Sequence, residues 1–247
     1  VHEVADRISR RIRNRFPKSY LPKTEEGRIQ NISTFAELDM DHGSWLFLSQ
    51  AAYFLNPVRD HLKSQGYFFE IQGRQSLRLK VREALEAWRT LQRGNPITYD
   101  LAKVLYSYMT GNGVRVARGH KKILGEEDDT FTFEELRDTN GLLATLDMSW
   151  NEALDKVPGV DVAYVNALVR RGEDLTAPPR IKLSTIHGAK GGEADNVVLF
   201  TDLTVAAERS MDSDPDSMHR VFYVAVTRTK QNLFTVLPEN FYRSYTL

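Results

Sequence analysis

Two short strings in the last third of the 247-residue chain combine side chains that neither core nor ordinary surface needs together. The first is Ser184-Thr185-Ile186-His187-Gly188-Ala189-Lys190-Gly191-Gly192-Glu193-Ala194-Asp195. It sets a hydroxyl, an imidazole, an ammonium, glycines and a carboxylate in a turn between two apolar runs. The second, Phe222-Tyr223-Val224-Ala225-Val226-Thr227-Arg228-Thr229-Lys230, ends an apolar stretch on an arginine. Arginine stays ionised and presents a planar fork of donors suited to phosphate oxygens. Held on a fixed element, Arg228 can place a cation over developing phosphoryl charge; the bland alternative is a surface ion pair. The Glu193 carboxylate is repelled by a triphosphate but can accept hydrogen bonds from ribose hydroxyls, and otherwise is a solvated turn residue. Thr185 and His187 suit the sugar-phosphate backbone of a single strand. Gly188, Gly191 and Gly192 let the main chain pass close to a ligand or take positive φ. Lys190 either braces this turn or reaches a phosphate.

What the chain lacks is as informative. Phosphoryl-transfer chemistry needs a phosphate cradle and a metal site. A P-loop requires Gly-x-x-x-x-Gly-Lys-Ser/Thr, and no such string occurs; Gly188-Ala189-Lys190-Gly191-Gly192 has its lysine in the wrong place. No apolar strand ends in an acidic pair for magnesium, and Glu126-Glu127-Asp128-Asp129 reads as a solvated patch. The chain has no cysteine and its six histidines are scattered, so no metal site is expected.

The two strings, in this order, resemble motifs V and VI of the UvrD/Rep-type superfamily 1 DNA helicases, Thr-x-His-x-x-Lys-Gly-x-Glu and Tyr-Val-Ala-x-Thr-Arg-x-Lys. The resemblance implies the C-terminal half of such a motor: an ATP-dependent DNA helicase or translocase, of DNA repair or replication. Arg228 would act as the catalytic arginine on the γ-phosphate of ATP, and Glu193, with Gly192 beside it, would hold the nucleotide. Thr185, His187 and Lys190 would contact single-stranded DNA. ATP with Mg2+ would sit against an N-terminal motor domain that carries the P-loop, and the chain alone would be inactive. The implied partners are that domain, single-stranded DNA and a single-strand/duplex junction. The rival is a non-catalytic regulatory or binding protein that keeps the fold; a helicase–nuclease fusion has no carboxylates here to support it. The chain departs from the family at Gly192 (commonly leucine), Ala194 (commonly aromatic), and Ser217 and Met218 (commonly acidic). It also carries Ser49-Gln50-Ala51-Ala52 where the family has a DNA-contacting arginine and asparagine, so those contacts do not carry over.

The elements that must position these residues follow from periodicity. Val1, Val4, Ile8, Ile12 and Phe16 recur on one face and predict a helix over residues 1–16, its other face rich in arginine. The resemblance makes this the helix after motif IV. Residues 17–27 read as a loop. Trp45-Leu46-Phe47-Leu48 reads as a buried parallel strand, followed by a helix over 56–65 stopped by Gly66 and a strand over 67–71. Helical spacing then dominates: 75–93, 99–109, 134–139, 142–154 and 161–171, the last with Asp161 as N-cap and Gly172 as stop. After Pro178-Pro179 come strands at 181–183 and 197–200, a polar surface loop over 206–217, a helix over 218–229, and a closing strand over 233–237 ended by Pro238.

The expected fold is α/β, a RecA-like parallel sheet of the P-loop-NTPase type with flanking helices, interrupted by a mainly helical insertion. The domain reading is 1–71 and 179–247 for the motor domain (2A in the family) and 72–178 for a short 2B-like insertion. Arg115, Arg118, His120, Lys121 and Lys122 in the insertion either touch duplex or are a solvated loop. Acidic and basic residues balance at 33 each, which argues against a free-standing DNA-binding domain. No apolar run approaches the ~18 residues of a membrane span and no signal core opens the chain; the expectation is a cytoplasmic protein of bacterial or phage type. Val1 in place of methionine hints at excision from something larger.

Overall fold

The run Trp45-Leu46-Phe47-Leu48-Ser49 is buried at every position, so both of its faces need cover and both of its edges need partners. The computed structural model, which describes residues 1–15, 27–120, 122–189 and 191–247, supplies all four. One unit comprises Val1–Ser76 and Arg171–Leu247. It begins with α1 (His2–Arg11), β1 (Arg28–Ile32), β2 (Trp45–Ser49), α2 (Asn56–Gln65), β3 (Phe69–Ile71) and β4 (Arg74–Gln75). The second unit, Leu77–Arg170, holds α3 (Leu79–Gln92), β5 (Ile97–Thr98), α4 (Tyr99–Ser107), β6 (Thr130–Phe131), α5 (Phe133–Asp138), α6 (Trp150–Ala153) and nearly all of α7 (Gly159–Arg171). The chain then returns through β7 (Ile181–Thr185), β8 (Ala194–Phe200), α8 (Val205–Ser213), α9 (Pro215–Val226) and β9 (Thr229–Val236).

The first unit is built on a seven-stranded sheet of order β1-β9-β8-β2-β7-β3-β4. All its pairings are parallel except the β3–β4 hairpin. The expected strand–helix–strand unit forms, but β7 lies between β2 and β3. Side chains alternate across β2. Leu46 and Leu48 join Val197, Leu199 and Leu233 under α1 and α9, where Ile8, Phe222 and Val226 are fully buried. Trp45 and Phe47 face the other way: Trp45 stacks on Phe234 at 5.7 Å, and Phe47 meets Phe35, which also touches His61 of α2. Burying such side chains contributes roughly 1.5–3 kcal/mol each. Asp216, at the start of α9, accepts from the backbone N–H groups of Arg13 and Asn14 at 3.1 Å and so fixes the chain leaving α1.

Where the chain re-enters this unit, Arg171 is clamped. Its guanidinium lies 3.5 Å from the Tyr67 ring centroid, pairs with Asp41 and donates to the Gln65 carbonyl. Arg180 donates to the Met40 and Gly43 carbonyls at 3.2 and 3.1 Å.

The Leu77–Arg170 unit packs α3 on α4. Val81, Leu85, Trp88 and Leu91 form the buried stripe of α3, and Ala102 and Leu105 are among the buried residues of the facing α4. Its short helices start where sequence signals say they should. Thr98 caps α4, and Thr132–Glu135 and Ser149–Glu152 form capping boxes.

Three expectations are corrected, and one strand was not foreseen. Residues 142–154 are helical only over α6. Gly141 at φ 66° breaks the path, Leu142 bridges to Val116, and the Ser149 box restarts a helix late. The polar stretch read as a loop over 206–217 is helical. Thr204 caps α8 by accepting from the Ala207 N–H at 3.1 Å, and Asp214 caps α9. Only Ala207 of α8 is buried, so no apolar stripe announced it. The first helix ends at Arg11, with Ile12 extended (ψ 114°), and Phe16 lies outside the described residues, as does nearly all of the 17–27 loop. β1 went unforeseen because four of its five residues are exposed on a sheet edge. Among the described residues, no helix is long and apolar enough to cross a membrane.

Candidate functional site

Motif-bearing residues occupy both ends of one unusually short connection. β7 and β8 are both parallel to β2 and lie on either side of it, so residues 186–193 must carry the chain from the C-terminal edge of the sheet back to its N-terminal edge. Parallel crossovers normally use a dozen or more residues with a helix; this one has eight, and its described residues form turns without a helix. The pairings Ser49↔Thr185 and Trp45↔Asn196 separate Thr185 from Ala194 by about 20 Å along the strands. The nine Cα–Cα steps from Thr185 to Ala194 could reach about 31 Å fully extended, so the connection has length to spare for hydrogen-bonded turns. Ile186 and Ala189 anchor it in the core beneath α1 and α9.

At the C-terminal edge, the Ile186 N–H extends the ladder by donating to the Ser49 carbonyl at 2.9 Å. The Thr185 hydroxyl oxygen accepts from the Gly188 N–H at 3.1 Å, and the Thr185 carbonyl accepts from Ala189 at 3.0 Å. The hydroxyl thus closes the turn and keeps its proton to donate. His187 is exposed on this turn. A Cβ at Gly188 would approach Ser184 Oγ to 2.8 Å and Thr185 Oγ1 to 3.2 Å, so a larger residue would crowd the turn. Gly191 takes φ 84°. Lys190 lies outside the described residues.

At the N-terminal edge, β8 and β9 begin side by side, with Ala194 opposite Thr229. The Ala194 N–H donates to the Arg228 carbonyl at 3.1 Å, so Glu193 and Arg228 flank one hydrogen bond. Gly192 and Glu193 are exposed. Arg228 sits between the end of α9 and the start of β9, half-buried, with Nε donating to the Val224 carbonyl at 3.2 Å. The Thr227 hydroxyl donates to the same carbonyl at 2.9 Å, so two side chains cap the helix end there and the Arg228 bond orients its guanidinium. Among the described residues no carboxylate pairs with Arg228. Next to Glu193, Asp195 accepts from the Ser44 N–H at 3.0 Å and the Ser44 hydroxyl at 2.7 Å, while its own N–H donates to Ser44 Oγ at 2.9 Å. These bonds, the backbone one foremost, hold its carboxyl below the usual carboxylate range and tie the start of β8 to the start of β2.

The structure therefore brings Glu193, Gly192 and Arg228 together at one edge and Thr185 and His187 at the other. Among the described residues no cluster of three or more His, Asp or Glu is arranged for a metal.

Two residues at the C-terminal edge escaped the sequence reading. Tyr53 is 56% exposed in the short helical turn Ala52–Leu55 that leaves β2 and packs against the end of β7. Gln72 takes φ 51° in the two-residue loop of the β3–β4 hairpin, donates its N–H to the Leu183 carbonyl, and brings its side-chain amide to the Gly188 turn. Two successive positive-φ residues, Gln72 and Gly73, are the signature of a type I′ loop. A glutamine is an unusual choice there, and that is the signal the sequence held.

Comparison with known proteins bears on the same stretch. Residues 161–240 match the family model of the UvrD-like helicase C-terminal domain. No curated protein matches the chain.

Proposed function

We propose, from the premise that residues 161–240 form a UvrD-like helicase C-terminal domain, that this chain is the C-terminal motor domain of an ATP-dependent DNA helicase or translocase. In this reading ATP binds between the N-terminal edge of the sheet and a second motor domain that carries the P-loop and the carboxylates for Mg2+. Arg228 supplies the arginine finger and Glu193, beside Gly192, accepts from the ribose hydroxyls. Thr185 and His187 grip the sugar-phosphate backbone of single-stranded DNA at the opposite edge, with Lys190 assigned to the same grip. Residues 1–71 and 179–247 are the motor domain 2A and residues 72–178 the 2B-like insertion. The working location of such a motor is the cytoplasm.

The observation that carries the reading is the Ala194–Arg228 hydrogen bond. It sets Glu193, whose carboxylate suits ribose, beside the main chain of Arg228, whose guanidinium no carboxylate pairs among the described residues. A guanidinium fixed by its own helix end needs no reorganisation to meet phosphoryl charge, the property electrostatic catalysis requires. The residues fit the sugar and γ-phosphate of a nucleotide and offer no cradle for its other phosphates, which is why the cleft needs a second wall. The short crossover joins the Glu193 end directly to the Thr185 turn, with Ile186 and Ala189 held in the core between them.

The test is ATP turnover by the purified 247-residue chain. The reading requires none, with or without DNA. Turnover that disappears in Arg228→Ala would show a complete site within this chain and end the split-cleft account.

A further inference from the structure

The DNA-facing edge proposed above lacks the arginine and asparagine that Ser49-Gln50-Ala51-Ala52 replace, yet it exposes an aromatic ring immediately after them. Resting on that reading, we propose that Tyr53 is a base-stacking platform: it takes the face of an unpaired nucleobase while the Thr185–His187 turn holds the adjoining backbone.

The placement is set by main-chain bonds. Ser49, the last residue of β2, accepts from the Ile186 N–H at 2.9 Å, and its hydroxyl donates to the Ala51 carbonyl at 2.8 Å. The turn bearing Tyr53 is thus fastened to the residue that is fastened to the Thr185–His187 turn. Leu55, fully buried, pins the same turn to the core. Phe54 lies against the Tyr53 ring at 4.3 Å between centroids, tilted by 41°, and backs one side of the ring. Tyr53 therefore adds nothing to the buried core, is held from behind, and offers an open aromatic surface. Unpaired bases stack on such surfaces irrespective of sequence, because each base has a π-face. Stacking also needs no net positive charge, consistent with a chain whose acidic and basic residues balance. A duplex keeps its base faces covered, so the contact selects single strands.

The experiment uses the whole chain and a fluorescein-labelled oligothymidylate, with binding read by anisotropy at low salt. Tyr53→Ala weakens binding about 10-fold, and Tyr53→Phe stays near wild type. Replacing the thymines by abasic sites costs the wild type a similar factor and costs Tyr53→Ala nothing further, which a merely structural role for the ring would not produce. An unchanged thermal melt confirms that the variant folds. The proposal is overturned if Tyr53→Ala binds like wild type, if abasic DNA penalises the variant as much as the parent, or if a blunt duplex binds as well as the single strand. Failure of the underlying reading looks different. Thr185→Val and His187→Ala would leave binding intact while the Tyr53 and abasic effects persisted. Absence of any oligonucleotide binding would end both.

Discussion

The backbone N–H of Ala194 donates to the carbonyl of Arg228 at 3.1 Å. This bond makes main-chain neighbours of Glu193 and Arg228 and ties the start of β8 to the turn between α9 and β9.

On the proposed reading, Glu193 acts on the sugar and not on the phosphates. In a polypeptide joining this chain to a P-loop motor domain, Glu193→Gln should raise KM for ATP about 10-fold, the value of a hydrogen bond to a charged acceptor, and leave kcat nearly unchanged. The parent should discriminate against 2′-deoxyATP and the variant should not. Steady-state kinetics with both nucleotides decides it. A fall in kcat at constant KM would move Glu193 into the chemistry.

On the proposed reading, Thr185 and His187 meet single-stranded DNA at the opposite edge. Thr185→Val keeps the shape of the side chain but loses the oxygen that accepts from Gly188. It should cost about 1 kcal/mol of stability as well as single-strand affinity. His187→Ala, on an exposed position, should cost affinity alone. Denaturant melts and anisotropy on both variants separate the two effects.

Acid should loosen the edge that carries Glu193. The carboxyls of Asp195 and Asp216 are both held below the usual carboxylate range, chiefly by backbone N–H groups of Ser44 and Arg13 respectively. A depressed folded-state pKa contributes stability that is complete above the unfolded value of ~4 and is lost as pH falls through the folded value. Thermal midpoints should therefore hold from pH 7 to about 5 and fall below that. Asp195→Asn should flatten the decline.

Gln72 occupies a left-handed position that glycine fills without strain. Gln72→Gly should stabilise the chain by about 0.5–1 kcal/mol, read from urea midpoints at constant m. A loss of stability would mean that the amide against the Gly188 turn outweighs the backbone strain.

Most of the sheet was legible because parallel strands such as Trp45–Leu48 and Val197–Phe200 are continuous apolar runs, and because Gly66 and Gly172 end their helices in the left-handed conformation. β1 was not, since an edge strand that exposes Arg28, Ile29, Gln30 and Asn31 carries no apolar alternation. α8 was hidden for the related reason that a helix burying one alanine leaves no stripe. Of the candidate site, residue types named Arg228 and Glu193 individually, but their adjacency is a product of β8–β9 pairing, which local sequence does not encode. The separation of the Thr185 and Glu193 ends across the sheet was equally invisible, because eight residues in one string look like one place. Tyr53 carries no signal of its own in the sequence: an aromatic residue just past a buried strand, next to Phe54 and Leu55, looks like more core.

The central claim is that Arg228 reaches a γ-phosphate held by another domain, and DNA-stimulated ATP turnover of the joined motor with Arg228→Ala tests it most directly. The account predicts a loss in kcat on the order of 10³-fold or more, with nucleotide binding retained and Arg228→Lys failing to restore the rate, because a lysine cannot reproduce the planar fork. Turnover at the parental rate in Arg228→Ala would contradict it.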